Sequence, residues 1–284
     1  MRTLILGGTG MLGRALTFEG RRRGFAVLAL SHSQADVRDR SRLFHWMDEF
    51  RPELVINAAA YTKVDLCETE RELALAVNGE AVGNVAAAAG RVRARLLHVS
   101  TDYVFDGSAS SPYQEDAPAA PISVYGESKL LGERALAESD NALVVRTSWL
   151  FGPGGPNFVA TMVGLIERGA VPLRVVDDQE GCPTHTGSLA RALFDLAPLS
   201  VTGVMHYRDR EPVTWYSFAR EIARIWSGQV EVVPIKTADM PRPARRPAYS
   251  VLDVSRFEAA VGRPVEPWHL GLCETLKWMR TGRM

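Results

Sequence analysis

The sequence predicts an α/β protein built on a doubly wound parallel sheet, with a smaller C-terminal lobe. Three observations carry that prediction. A glycine-rich turn, Gly7-Gly8-Thr9-Gly10, follows directly on the first short apolar run. Strand-like and helix-like periods then alternate through the first half of the chain. The predicted strands are almost continuously apolar, as strands covered by helices on both faces must be.

Taken in order, Arg2–Leu6 reads as a buried strand, and Leu12, Ala15, Leu16 and Glu19 follow at helical spacing. Phe25–Leu30 is the second strand. Leu43, Trp46, Met47 and Phe50 fall at i, i+3, i+4 and i+7, one face of an amphipathic helix. Leu54–Ala59 and Leu96–Ser100 are further strands, separated by an Ala-rich helical stretch from about Glu68 to Arg91. Tyr125–Glu138 reads as helix and Ala142–Ser148 as strand. Beyond Trp149 proline and glycine become more frequent and the spacing loosens. There Phe158–Arg168, Ser188–Leu196, Trp215–Trp226 and Leu270–Met279 are expected as helices and Val230–Ile235 as a strand, while Pro241, Pro243 and Pro247 mark a loop. The expected division is a first domain over 1–150, to which segments from about 170–200 return, and a lobe formed mainly by 151–284.

Composition narrows the function classes. A length of 284 residues with 46% hydrophobic residues suits one to two globular domains with ample core. Thirty-three basic residues balance thirty-three acidic ones, so electrostatics argues against a nucleic-acid binder, and a disordered chain is excluded. Cys67, Cys182 and Cys273 are far apart and form no CxxC pair, which makes a reducing cytoplasm the expected setting. No apolar run approaches the roughly 18 residues of a membrane helix, and Leu4-Ile5-Leu6 is too short for a signal peptide. His32, His45, His98, His185, His206 and His269 show no ligand spacing, so they are expected to be structural or solvated and no metal site is expected. A homodimer is expected only from the general frequency of twofold assemblies.

The first chemical signal is the glycine string. Gly7, Gly10 and Gly13 stand at GxxGxxG spacing between a strand and a helix. In that context Gly7 permits the tight turn, Gly10 lets the backbone approach a pyrophosphate, and Gly13 lets helix and strand pack closely. The pyrophosphate would sit on the N–H groups of the helix N-terminus. An acidic residue that would hold the ribose of NAD is expected about 20 residues on. Ser31 stands there instead, which favours NADPH over NADH, with Arg14 or His32 as candidates to face the 2′-phosphate.

The second signal is Thr101 at the C-terminal edge of a predicted strand, with Tyr125 and Lys129 at i and i+4 on one helix face. This set suits carbonyl reduction. The Tyr125 hydroxyl can donate a proton to an oxygen that gains charge, and the Lys129 ammonium is expected to lower the phenol pKa. Thr101 would polarise the carbonyl.

Longer strings carry a resemblance. They are Asn57-Ala58-Ala59-Ala60-Tyr61-Thr62, Ser100-Thr101-Asp102-Tyr103-Val104-Phe105-Asp106-Gly107, Tyr125-Gly126-Glu127-Ser128-Lys129 and Arg146-Thr147-Ser148-Trp149. Asp178-Gln179 through Pro183-Thr184, and Arg246-Pro247 with Ser250, continue the match in order. Together they resemble the extended short-chain dehydrogenase/reductases and, within them, the dTDP-4-dehydrorhamnose reductase family. The resemblance implies a Rossmann-type sheet, an NADPH cofactor with NADH use left open, and a dTDP-sugar substrate bound by the C-terminal lobe. It implies reduction of the C4 ketone of dTDP-4-dehydro-6-deoxy-L-mannose to dTDP-L-rhamnose. Gly10, Met11 and Leu12 would lie against the cofactor phosphates, Asp36 and Val37 would border the adenine, and Ala60, Tyr61 and Thr62 would line the cofactor. Tyr125 would be the proton donor, with Lys129 touching it and the nicotinamide ribose. Thr101 and Asp102 would contact substrate, and Trp149 would pack over the sugar.

Two other readings share these motifs. One is another nucleotide-sugar 4-ketoreductase. The other is a non-catalytic NADP-binding regulatory subunit of a methionine adenosyltransferase, since fold and motif can outlive activity. A 4,6-dehydratase is a weaker resemblance, because that related family carries an acidic pair after the Thr, whereas Thr101-Asp102 is followed here by Tyr103.

Overall fold

A computed structural model describes residues 1–282. The chain opens with β1 (Arg2–Leu6), α1 (Met11–Arg22), β2 (Ala26–Leu30), α2 (Arg40–Phe50) and β3 (Leu54–Asn57). Then come α3 (Val64–Cys67), α4 (Arg71–Leu75), α5 (Ala81–Arg91), β4 (Arg95–Thr101), α6 (Val124–Arg134) and β5 (Ala142–Thr147). After β5 come β6 (Leu150–Phe151), α7 (Phe158–Glu167), β7 (Leu173–Val176), β8 (Glu180–Gly181), β9 (Thr184–His185) and α8 (Thr186–Leu196). The remaining elements are β10 (Gly203–His206), β11 (Val213–Thr214), α9 (Trp215–Trp226), β12 (Val232–Ile235), α10 (Ser255–Val261) and α11 (Trp268–Thr281).

Six strands form the main sheet in the order β10-β5-β4-β3-β1-β2, with every pairing parallel. The chain runs outward from β1 to β2 and then crosses to β3 on the other side. The strand order therefore reverses between β1 and β3, where open α/β sheets bind their ligands. β3 and β5 are buried along their whole length, which accounts for their unbroken apolar runs. One face of the sheet is covered by α1 and α8, through Leu12, Leu16, Leu189 and Leu193. The other is covered by α2 and α5, through Leu43, Met47, Val82 and Val85.

The expected helix from about Glu68 to Arg91 is interrupted. A π-helical turn occupies Ala76–Glu80 between α4 and α5. Within it the Asn78 amide turns inward. Asn78 Oδ1 accepts from Tyr61 N at 2.7 Å, and Nδ2 donates to Tyr61 O and to Ser128 Oγ, both at 3.0 Å. The widened turn thus ties the loop after β3 to α6, a use of π-turns common at functional sites. α6 starts at a Ser123 cap, whose Oγ accepts from Gly126 N at 3.2 Å, and it ends at Arg134 rather than at the expected Glu138.

β10 is not foreseen by periodicity, because Gly203–His206 is only four residues long and its partner β5 is distant in sequence. The lobe has its own small core. β7 and β12 pair in parallel, and α7, α9 and α11 close over Phe151, Phe218, Ile222 and Trp268. No helix among the described residues is long and apolar enough to cross a membrane.

Candidate active site

The glycine string forms a cradle at the reversal between β1 and β3. Gly7 has φ +76°, and a Cβ there would come within 2.8 Å of Ala59 N, so both conformation and contact require glycine. A Cβ on Gly13 would lie 2.2 Å from the Gly7 carbonyl oxygen, so only glycine lets α1 leave the strand so closely. Gly10 is the N-cap of α1 and supplies no side-chain cap, which leaves first-turn amides for an anionic ligand. Of the next residues, Met11 meets Asn157, whose Nδ2 lies 3.4 Å from its sulfur, while the Leu12 side chain enters the core. At Leu12 only the backbone faces the helix N-terminus.

A cleft of about 460 Å³ opens from this cradle, lined by Gly7, Thr9 and Gly10, by Ala58, Ala59, Ala60 and Tyr61, and by His32, Val37 and Arg38. Thr62 is exposed and is not part of that lining. Ser31 is committed to its own turn, its Oγ donating to Gln34 Oε1 at 2.8 Å and lying 3.0 Å from Ser33 Oγ. Arg14 turns elsewhere, Nη1 donating to Thr9 O at 2.6 Å beside Gly154, so of the two candidates for a 2′-phosphate only His32 lines the cleft. Sequence reasoning missed Arg38. Asp36 does not line the cleft. It holds the Arg38 guanidinium at 2.6 Å, and that bond keeps the carboxyl below its ordinary range. The cradle and this basic rim fit a phosphorylated dinucleotide.

Thr101, Asp102, Tyr125 and Lys129 gather at the C-terminal edge of β4. Thr101 Oγ1 accepts from Tyr103 N at 3.2 Å and donates to Asp102 Oδ1 at 3.0 Å. The half-buried Tyr125 hydroxyl lies within hydrogen-bonding reach of Thr101, and its ring meets Tyr103 edge-on at 5.7 Å. Asp102 is 1% exposed, and burial pushes its carboxyl up to about 6 against hydrogen bonds from Ser250 and Thr101. Oδ2 keeps no well-aligned donor. Lys129 is 2% exposed and donates from Nζ to the Val99 carbonyl at 2.7 Å, and burial brings its ammonium down to about 8.

The structure corrects one electrostatic expectation. The Tyr125 phenol is not lowered by Lys129. Burial raises it, the hydrogen bond with Thr101 counters in part, and the Asp102 charge raises it further. The phenol form is therefore the stable one at neutral pH. His98, expected to be merely structural or solvated, is wholly buried and lies 3.4 Å from Lys129 Nζ.

Trp149 has a partner that its sequence neighbourhood does not show. Its indole stacks on Trp215 with centroids 3.5 Å apart and planes within 6°, so one face is covered by a side chain of the lobe. Its backbone sits at φ +45°, and Gly181 packs so closely on the indole that a Cβ would lie 2.5 Å from Cε2. Among the strings with no role read from sequence, Gln179 Nε2 donates to Thr237 Oγ1 at 2.9 Å, and Thr184 Oγ1 donates weakly to Cys182 O at 3.4 Å. Arg246 clamps Asp65 at 3.0 Å, tying the proline loop to α3. Beneath the site, Arg146 of β5 pairs with Glu133 of α6 at 2.7 Å, both nearly buried, and Ser100 donates to the same carboxylate.

The family model described as RmlD substrate binding domain matches residues 1–281. A dTDP-4-dehydrorhamnose reductase of Streptomyces griseus is 44% identical over 292 aligned positions, covering 99% of this chain and 96% of the relative. The crystal structure of a dTDP-4-dehydrorhamnose reductase from Clostridium acetobutylicum matches with a TM-score of 0.94 at 37% identity, covering 99% of this chain and 100% of its own. That of the Bacillus anthracis dTDP-4-dehydrorhamnose reductase, in complex with NADP, matches with a TM-score of 0.92 at 34% identity and 99% coverage of each chain. Because these matches span sheet and lobe together, the chain belongs to the RmlD substrate binding domain family, the family of the dTDP-4-dehydrorhamnose reductases.

Proposed function

We propose that this protein reduces the C4 ketone of dTDP-4-dehydro-6-deoxy-L-mannose to dTDP-L-rhamnose, with NADPH preferred over NADH. The observation that carries the reading is the meeting of Thr101, Tyr125 and Lys129 at one strand edge beside the glycine cradle. Residues 1–150 would hold the dinucleotide, and 151–284 would mainly hold the sugar nucleotide. Assembly as a homodimer in the cytoplasm belongs to the same proposal.

The cofactor, when bound, supplies the hydride. The amides at the start of α1 would receive its pyrophosphate, Arg38 and His32 its 2′-phosphate, and the walls at Val37 and Ala60-Tyr61 its adenosine and nicotinamide halves. Lys129 would add a contact to the ribose. Thr101 would polarise the substrate carbonyl by turning its single O–H from Asp102 Oδ1 to it, and Tyr125, whose burial keeps it a phenol until charge develops on the oxygen, would give the proton. Asp102, whose Oδ2 is buried, would accept from a sugar hydroxyl only where substrate entry opens the packing around it. The lobe's Trp149–Trp215 stack would form an apolar wall for the sugar nucleotide.

The test is NADPH oxidation with the 4-keto sugar nucleotide generated in situ, run beside Tyr125→Phe. The expected result is dTDP-L-rhamnose from the parent protein and a loss of about 10²–10⁴-fold in kcat for the variant, with NADPH binding retained. Cofactor binding without turnover would refute the rhamnose reading.

A further inference from the structure

Trp149 leaves the main sheet just after β5, with its backbone at φ +45°. A bulky L residue keeps that left-handed conformation only where its surroundings fix it. The fixing groups come from the lobe. Trp215, the first residue of α9, stacks on one face of the indole at 3.5 Å with the planes within 6°. Gly181 of β8 lies against the other face. A Cβ there would be nearest to the ring-fusion carbon Cε2, at 2.5 Å, with Cζ2 and Nε1 both at 2.7 Å, so it would stand over the ring rather than at its edge. The stacked Trp215 ring leaves only the opposite face for it. The two jaws are one unit. β8 and β11 pair antiparallel, with Gly181 opposite Val213, two residues before Trp215. Thr214, between Val213 and Trp215, caps α9, its Oγ1 accepting from Ser217 N at 3.1 Å and donating to Asp177 Oδ1 at 2.6 Å. Phe158 of α7 meets the Trp215 ring at 4.5 Å, tilted by 49°, and braces it from the lobe core.

We propose that Trp215 is a positioning residue: with Gly181 it clamps Trp149 across the ring, so that the indole meets the sugar nucleotide in one fixed orientation. The proposal rests on the reading of Trp149 as part of the sugar-nucleotide wall. A ring already held loses no rotamer freedom when substrate arrives, so the clamp strengthens the binding of substrate and transition state alike. Its loss is then read in KM and not in kcat. The same geometry gives Gly181 its reason, since any side chain there would displace the indole.

Ring currents report the stack independently of turnover. The chain has six tryptophans, so tryptophan-labelled protein gives few resonances and Trp149→Phe assigns those required. The Trp149 ring protons should lie upfield in the parent protein and return towards ordinary positions in Trp215→Leu. That variant should raise KM for the 4-keto sugar nucleotide about tenfold, with kcat nearly kept and the Kd for NADPH unchanged. Trp215→Phe, which keeps a ring over the indole, should stay within about threefold of the parent in KM. Gly181→Ala attacks the clamp from the other face and should repeat the Trp215→Leu pattern. Ordinary Trp149 resonances in the parent protein overturn the proposal, as does an unchanged KM in folded Trp215→Leu. Should that variant fail to fold, the same two readouts in Gly181→Ala decide. Failure of the reductase reading is distinguishable, since the parent protein would then keep the shifted resonances and show no turnover, and the role in substrate binding would fall with it.

Discussion

Replacing Asp102 by Asn should make the protein more stable at neutral pH. The carboxyl is 1% exposed and burial pushes it up to about 6, against 3.8 in the unfolded chain. A folded pKa above the unfolded one means that the native state holds the proton between those values. The penalty is therefore absent below about pH 4, grows through the window, and is complete above about pH 6. About two pH units at roughly 1.4 kcal/mol each gives up to about 3 kcal/mol of destabilisation at pH 7.5. Asn keeps the acceptor for Thr101 Oγ1 and removes the charge. Urea unfolding of both proteins across pH 4 to 7.5 is the assay. The expected gain of up to about 3 kcal/mol at pH 7.5, or roughly 5 °C in Tm, should shrink towards zero by pH 4. Stabilisation of equal size at every pH, or a loss at pH 7.5, would show that desolvation of the charge is not the controlling effect. Turnover should fall in the same variant, as expected of a carboxylate kept for substrate at a cost in stability.

Other perturbations probe the cradle, its rim and the support beneath the site. Arg38→Ala should raise the Kd for NADPH about tenfold and leave NADH nearly unchanged, because only the 2′-phosphate needs that guanidinium; equal weakening of both cofactors would refute the assignment. Gly13→Ala should abolish NADPH binding, since its Cβ would meet the Gly7 carbonyl at 2.2 Å, and an unaltered affinity in fluorescence titration would disprove the cradle argument. Arg146→Met should cost about 3–5 kcal/mol in urea unfolding by leaving Glu133 buried without its partner. Adding Glu133→Leu should recover most of that loss, and failure to recover would mean that the pair matters for more than charge neutralisation.

Much of the site was legible because its signals are local. The strand-turn-helix around Gly7, Gly10 and Gly13 is set by backbone conformation and close approach within a dozen residues. Tyr125 and Lys129 share a helix face by spacing alone. Arg38 escaped notice because its role depends on Asp36 turning it toward a cleft that only the folded loop after β2 creates. Ser250 was visible as a residue of a family string, yet nothing in its neighbourhood pointed to the carboxylate of Asp102, far away in the chain.

By itself the amino-acid order determined the parallel α/β framework, the glycine cradle and the identity of the Thr, Tyr and Lys set, since helical and strand periods act over a few residues. Tertiary structure decided the protonation of that set, the stack that covers one face of Trp149, and the completion of the sheet by β10. The physical reason is that desolvation and long-range pairing belong to no single segment. The phenol of Tyr125 is raised by the burial around it, and Lys129 meets His98 across 31 positions of sequence, so neither effect exists until the chain has closed around the site.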